Sequence, residues 1–371
     1  MADEDFLISK LEERKQQNAF RQLRLPDGKI DFCSNDYLGI VKNGLIEKRL
    51  FSKTNLAENS SLKTGSTGSR LLAGNYALIE ETESKIARFH VAAAGLIFNS
   101  GYDANTGLLS CIPQRDDTII YDFLSHASLR DGIRLCHAQS FSFRHNDMED
   151  LERKLRLATG NIFVITESVF SMDGDKAPLQ NIIELCEQFT AHLVVDEAHA
   201  TGVVGERGQG LVQLLGLQNR CFARIHTFGK ACGAHGAIVL GSEHLRNYLV
   251  NFSRAFIFTT ALPEASLAAI STSYDIFPEL NQERKHLDQL VLQFQQGKVR
   301  YEILQSETPV QVIIIPGNNE VKKEAQILQD AQLDVRPILY PTVARGAERL
   351  RIVLHSFNSS DEVAKIMECL Y

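Results

Sequence analysis

No stretch of this chain approaches the roughly 20 consecutive apolar residues that cross a bilayer. Its opening, MADEDFLISKLEERKQQ, is charged and lacks the apolar core of a signal peptide. The expectation is therefore a soluble, unexported, cytoplasmic protein with no membrane partner. No CxxC pair occurs among the seven cysteines, which are odd in number and widely spread from Cys33 to Cys369. That argues against a disulfide framework and a zinc site, so no metal is expected and the thiols read as small core residues in a reducing compartment. There is no basic block either: 39 Lys and Arg stand against 46 Asp and Glu, net charge −7. Nucleic acid and anionic membrane are accordingly poor partners. No GxxxxGK[ST] phosphate loop accompanies the DEAH run at 196–199, which excludes a helicase. Repeats, low-complexity tracts and flexible linkers are missing too.

What is there is an ordinary globular composition, 44% hydrophobic over 371 residues, enough for one large domain and a smaller one. Phe6, Leu7, Leu11 and Phe20 fall among charges at roughly helical spacing, which predicts an amphipathic N-terminal helix lying against something larger. From about 75 to 255, short apolar runs alternate with amphipathic stretches: GLIFNS, DTIIYDF, SFSFRHN, NIFVITES, HLVVDEAHA, ARIHTFGK and HGAIVLGS. Seven strands with intervening helices, such as Met148 to Arg156 and Leu179 to Gln188, predict an α/β fold with a mainly parallel sheet covered on both faces. Beyond 256, the runs VQVIIIPG and RLRIVLHS and the helical stretches at 279–296 and 320–331 predict a smaller α+β domain. The expected organisation is an N-terminal helical segment (1–42), a large domain (43–255) and a small C-terminal domain (256–371).

In open α/β sheets, ligands bind beyond the carboxyl ends of the strands. The polar residues Asn99, Ser100, Ser125, His126, Glu167, Ser168, Asp196, His199 and Thr227 to Lys230 all follow apolar runs, so one pocket could collect them. In VVDEAHATG, Asp196 ends a strand and can pair with a protonated ring nitrogen, although a plain cap is an equal reading of the motif alone. In HTFGKACGAHG, Thr227 and Lys230 bracket a strand end among small residues that let a planar cofactor approach. A lone lysine in such a turn is more often a solvated charge; what changes the balance is its place one strand-helix-strand unit after Asp196. FNSGYDAN adds a helix start whose Ser100, Gly101 and Tyr102 backbone N–H groups can hold a phosphate. An amine, a strand-end carboxylate and a phosphate cradle are the parts a pyridoxal 5'-phosphate (PLP) site requires.

With these parts in place, the chain resembles the α-oxoamine synthase family of PLP fold type I over nearly its whole length. The matching blocks are DFCSNDYLG, GSTGSRLLAGN, FNSGYDAN, LSHAS, RHND, ESVFSMDGD, VVDEAHATGVVGERG, TFGK, YPTVARG and RLRI. The resemblance implies a decarboxylative condensation of an amino acid, L-alanine from the blocks that match best, with an acyl thioester such as pimeloyl-CoA or a pimeloyl carrier protein. It implies Lys230 as the Schiff-base amine, Asp196 at the pyridine nitrogen, His126 over the ring, and His199 with Ser171 near the phenolic oxygen. Thr227, Gly101 and Tyr102 would hold phosphate, and Thr259 and Thr260 would reach the phosphate of a neighbouring subunit in a homodimer whose site lies at the interface. Arg351 and Asn35 would bind the amino-acid carboxylate, and Arg21 and Thr342 the acyl chain or product.

Taken singly, His126 also suits a core histidine, Arg351 a surface ion pair and Arg21 a solvated helix face. Two positions depart from the family pattern: Leu339, where an arginine is common, with Arg336 three residues earlier, and His235, where a small residue is common. YPTVARG is similar to the 5-aminolevulinate branch. Glycine C-acetyltransferase is the alternative within the family, and a catalytically silent regulatory subunit the alternative outside enzymes.

Overall fold

The structure is a computed structural model that describes residues 4–25, 28–53 and 62–371. The chain divides into two compact units: residues 38–171 with 176–284, and residues 1–37 with 172–175 and 285–371. The larger unit is built on a seven-stranded sheet in the order Ala94–Phe98, Ala237–Gly241, Ala223–Thr227, His192–Asp196, Ile162–Glu167, Thr118–Asp122, Gln139–Phe143. All seven apolar runs become strands. Six point one way; Ala237–Gly241 alone is antiparallel to both its neighbours.

Covered on both faces, the central strands are near-continuous apolar runs, as a parallel sheet requires. Successive side chains in a strand point to opposite faces. Ile119, Ile165, Val194 and Ile225 accordingly join one core with Leu108, Leu129 and Phe256, while Ile120, Val164 and Val195 join another with Leu151, Ile182 and Leu211. Each such side chain, fully buried, contributes about 1.5–3 kcal/mol. Helix starts are set by caps: Ser100 accepts the Asp103 N–H at the head of Gly101–Leu109, and Asp147 accepts the Asp150 N–H at the head of Met148–Leu155.

In the smaller unit, four strands pair antiparallel in the order Arg336–Ile338, Arg349–Val353, Val310–Ile314, Glu302–Ile303. Helices Asn318–Asp330 and Ser360–Leu370 belong to this unit. A short parallel pair joins Ile30–Asp31 to Leu333–Asp334. That pairing groups residues before 38 with the C-terminal part, where the sequence predicts a separate helical segment. The N-terminal helix forms at Asp5–Gln16, but none of its residues is buried, and Phe6, Leu7, Ile8 and Leu11 are exposed. The second division also falls elsewhere than the expected 255/256, at 284/285. Its reason is helix Glu264–Ile276, which buries Leu267, Ile270 and Tyr274 in the larger unit. Tyr274 OH lies 3.0 Å from His90 Nε2, and Asp275 accepts from Lys85 at 2.7 Å, both tying that helix to Ala77–Phe89 and the turn after it.

Candidate active site

At the carboxyl ends of the parallel strands lies a pocket with about 730 Å³ of empty space, part of it open to solvent. Seven of the ten residues expected at the cofactor line it, Gly101, Tyr102, His126, Asp196, His199, Thr227 and Lys230, together with the strand-end residues Ser100 and Glu167. Three others do not. Thr259 and Thr260 are instead tied to Asn99, whose amide donates to Thr259 Oγ1 at 2.9 Å and to the Thr260 carbonyl at 2.8 Å. Ser171, half-buried, is also outside the lining. Asn99, Ser125 and Ser168 lie just past strand ends and likewise do not line the pocket.

Asp196 closes strand His192–Asp196 and is buried. Its Oδ1 accepts the Ala198 N–H at 2.9 Å and its Oδ2 accepts from Asn105 Nδ2 at 2.8 Å. Asn105 also donates to Ser128 Oγ at 2.9 Å, and Ser128 Oγ lies 2.7 Å from His126 Nδ1. A hydrogen-bonded chain therefore links the strand-end carboxylate to the imidazole. His126 caps helix Ala127–Leu135 by accepting the Ser128 N–H at 3.2 Å. Burial pushes its imidazole below the ordinary histidine range, Asp196 opposes that shift, and Lys230 reinforces it. The ring is consequently neutral at neutral pH.

The residues present suit a phosphorylated pyridine aldehyde. Thr227 Oγ1 is buried without a hydrogen-bond partner, an arrangement that costs free energy unless a ligand supplies one. Across from it, a Cβ on Gly101 would approach Thr227 Cγ2 to 2.6 Å, so that surface stays clear only with glycine. The N–H groups of Gly101 and Tyr102 open helix Gly101–Leu109 and have no partner inside it. Hydroxyl, bare backbone and helix terminus are groups that could hold a phosphate. Lys230, in the turn after Ala223–Thr227, is the amine in the same pocket.

Sequence reasoning assigned no role to Asn105, Ser128 or Glu167. Asn105 closes the FNSGYDAN block, four residues after Gly101 on one helix face, and that spacing was its available signal. Ser128 and Glu167 carried no signal beyond lying near strand ends.

In the smaller unit, Arg351 Nη2 donates to Asn35 Oδ1 at 3.1 Å, and Arg21 Nη2 donates to Thr342 Oγ1 at 2.9 Å. Both expected substrate-binding pairs are thus together. Tyr37, whose hydroxyl donates to Asn35 Oδ1 at 3.1 Å, is fully buried, and its phenol is pushed up to about 12 by that burial. Arg336 is held by Asp334 through contacts of 2.6 and 3.0 Å. His235, the other departure, is exposed and lines the larger unit's pocket.

The family model described as aminotransferase class I and II matches residues 27–369. The chain belongs to the class I and II aminotransferase family. An 8-amino-7-oxononanoate synthase from Emericella nidulans is 40% identical to this family member over 390 residues, spanning 99% of the chain and 94% of the relative. A solved 8-amino-7-oxononanoate synthase from Francisella tularensis is 27% identical with a TM-score of 0.77, covering 93% of this chain and 97% of that one. A serine palmitoyltransferase from S. paucimobilis, solved with a bound PLP-myriocin aldimine, has a TM-score of 0.88 at 24% identity and covers 99% and 96%; that likeness shows the fold. This aminotransferase-family chain has PLP fold type I. Among the described residues no helix is long and apolar enough to cross a membrane.

Proposed function

We propose that this enzyme is an 8-amino-7-oxononanoate synthase, a cytoplasmic enzyme of biotin biosynthesis. It joins L-alanine to a pimeloyl thioester, carried by coenzyme A or a carrier protein, releasing 8-amino-7-oxononanoate, carbon dioxide and free thiol. The observation that carries the reading is the single pocket that collects Lys230, Asp196, His126 and Thr227. The synthase relatives from E. nidulans and F. tularensis support it.

Bound PLP supplies an electron sink that acidifies the α-proton of an attached amino acid. Lys230 would hold the cofactor through its aldehyde, and its Nζ would take and return that α-proton. Asp196, fixed by two donors, presents a carboxylate to the pyridine nitrogen and favours its protonated form. His126 would face the ring, His199 with Ser171 would serve the phenolic oxygen, and Thr227 with the Gly101 and Tyr102 N–H groups would hold phosphate. Arg351 and Asn35 bind the alanine carboxylate, a charge-assisted pairing for which a guanidinium is suited. Arg21 and Thr342 contact the acyl chain or product. The working form is a homodimer in which Thr259 and Thr260 serve the neighbouring subunit's phosphate.

Lys230→Ala abolishes both the visible absorbance band of the lysine Schiff base and turnover; a variant that kept both would remove Lys230 from its role. Thiol release assayed with alanine, glycine and serine, against pimeloyl and acetyl thioesters, tests the substrates. Preference for glycine with acetyl thioester would identify a glycine C-acetyltransferase, and a protein that cannot be loaded with PLP would be the silent subunit.

A further inference from the structure

We propose that Glu167 is a positioning residue for this reaction: its carboxyl holds the main chain of His126, and through it the imidazole over the cofactor site. The proposal rests on the PLP-site reading above and deepens it. Glu167 ends strand Ile162–Glu167 and is paired in register with Asp196 at the end of the next strand. It is 3% exposed and lines the same pocket. Its Oε1 accepts the His126 N–H at 2.6 Å. That N–H sits at the first residue of a helix cap, where the orientation of the imidazole is set by the chain's entry into helix Ala127–Leu135. His126 is thereby gripped from two sides, its backbone by Glu167 and its ring by Ser128.

Two carboxylates side by side at buried strand ends do not both ionise readily. The groups facing Glu167 are Asp196 from one adjacent strand, Asp122 from the other, Lys230 from the turn beyond the sheet and His126 from the helix start. Burial first, then the Asp196 charge, push Glu167 up to about 8, while the His126 N–H and Lys230 pull the other way. Asp196 already has two hydrogen-bond donors on its oxygens. Glu167 then carries a proton at neutral pH and still accepts the His126 N–H through its other lone pairs. Above that range it adds a second negative charge to the pocket floor.

The test compares Glu167→Ala with Glu167→Gln in the PLP-loaded protein. The amide of Glu167→Gln can still accept the His126 N–H but cannot ionise. In Glu167→Ala, kcat falls on the order of tenfold, as expected for loss of a hydrogen bond that fixes geometry, and the visible circular dichroism of the bound cofactor weakens. Glu167→Gln recovers most of both. A pH titration of that dichroism shows a step near pH 8 in the wild type that is missing from Glu167→Gln. Equal losses in the two variants, an unchanged titration in Glu167→Gln, or wild-type turnover in Glu167→Ala would each overturn the proposal. Thermal melts identify a Glu167→Ala protein that has not folded, in which case the titration of Glu167→Gln decides alone. Because the titration reads bound cofactor without substrate, it is independent of which amino acid and thioester the enzyme prefers. Failure of the wild-type protein to bind PLP would instead defeat the function reading, and with it this one.

Discussion

In the proposed reaction, the difference between a charged and a neutral acceptor at Asp196 separates catalysis from mere binding. Asp196→Asn keeps a side chain of the same size beside Asn105 but no longer favours a protonated pyridine nitrogen. Removing a charge-assisted bond of this kind costs about 1.5–3 kcal/mol, so kcat should drop about 10- to 100-fold while the variant still binds PLP. Stopped assays together with cofactor titration check this, and near-normal turnover would refute the role. Gly101 makes the complementary case by volume. In Gly101→Ala the new Cβ lies 2.6 Å from Thr227 Cγ2, and relieving such a clash typically costs about 1–3 kcal/mol. PLP affinity should therefore weaken about tenfold or more, read by fluorescence titration of the apoprotein.

Among the elements, the strands of the sheet were legible because each is a short apolar run ended by polar residues, a pattern of consecutive positions. Strand Gln139–Phe143 was found although its first three residues are exposed. Helix Glu264–Ile276 was not, since EASLAAISTSYDI mixes small and hydroxyl residues without a clean apolar stripe. The capping box at Ser359 illustrates how local chemistry sets an end: Ser359 accepts the Glu362 N–H while the Glu362 side chain accepts the Ser359 N–H. Ser359→Ala should cost about 1 kcal/mol, measurable as a lower urea midpoint, with turnover at saturating substrate little changed.

At the scale of the molecule, stability depends on titratable groups buried in the larger unit. His90 and His226 are fully buried and stacked, their ring centroids 3.8 Å apart. His90 Nε2 meets Tyr274 OH, and His226 Nδ1 meets Thr201 Oγ1 at 2.8 Å. Burial holds both well below the ordinary value of 6.5, with Arg224 acting in the same direction. In the folded state they stay neutral, whereas in the unfolded chain they take up protons below about pH 6.5. Unfolding then binds protons, so this pair removes stability as pH falls through that range, at about 1.4 kcal/mol per pH unit for each proton. His226→Gln should flatten the acid side of a plot of unfolding free energy against pH by about one proton; an unchanged slope would show that His226 does not titrate on unfolding.

From the sequence alone came the seven strand runs, the carboxyl-end placement of Asp196 and Lys230, and the family blocks, because these depend on which residues follow one another. Only the tertiary structure decided that Ala237–Gly241 inserts antiparallel between Ala94–Phe98 and Ala223–Thr227, and that residues 1–37 group with the C-terminal part. It alone joined Asn105 and Ser128 to Asp196 and His126, and set Glu167 beside Asp196. Lateral strand order, burial and the field of neighbouring charges arise from contacts between residues far apart in the chain, and no local periodicity encodes them.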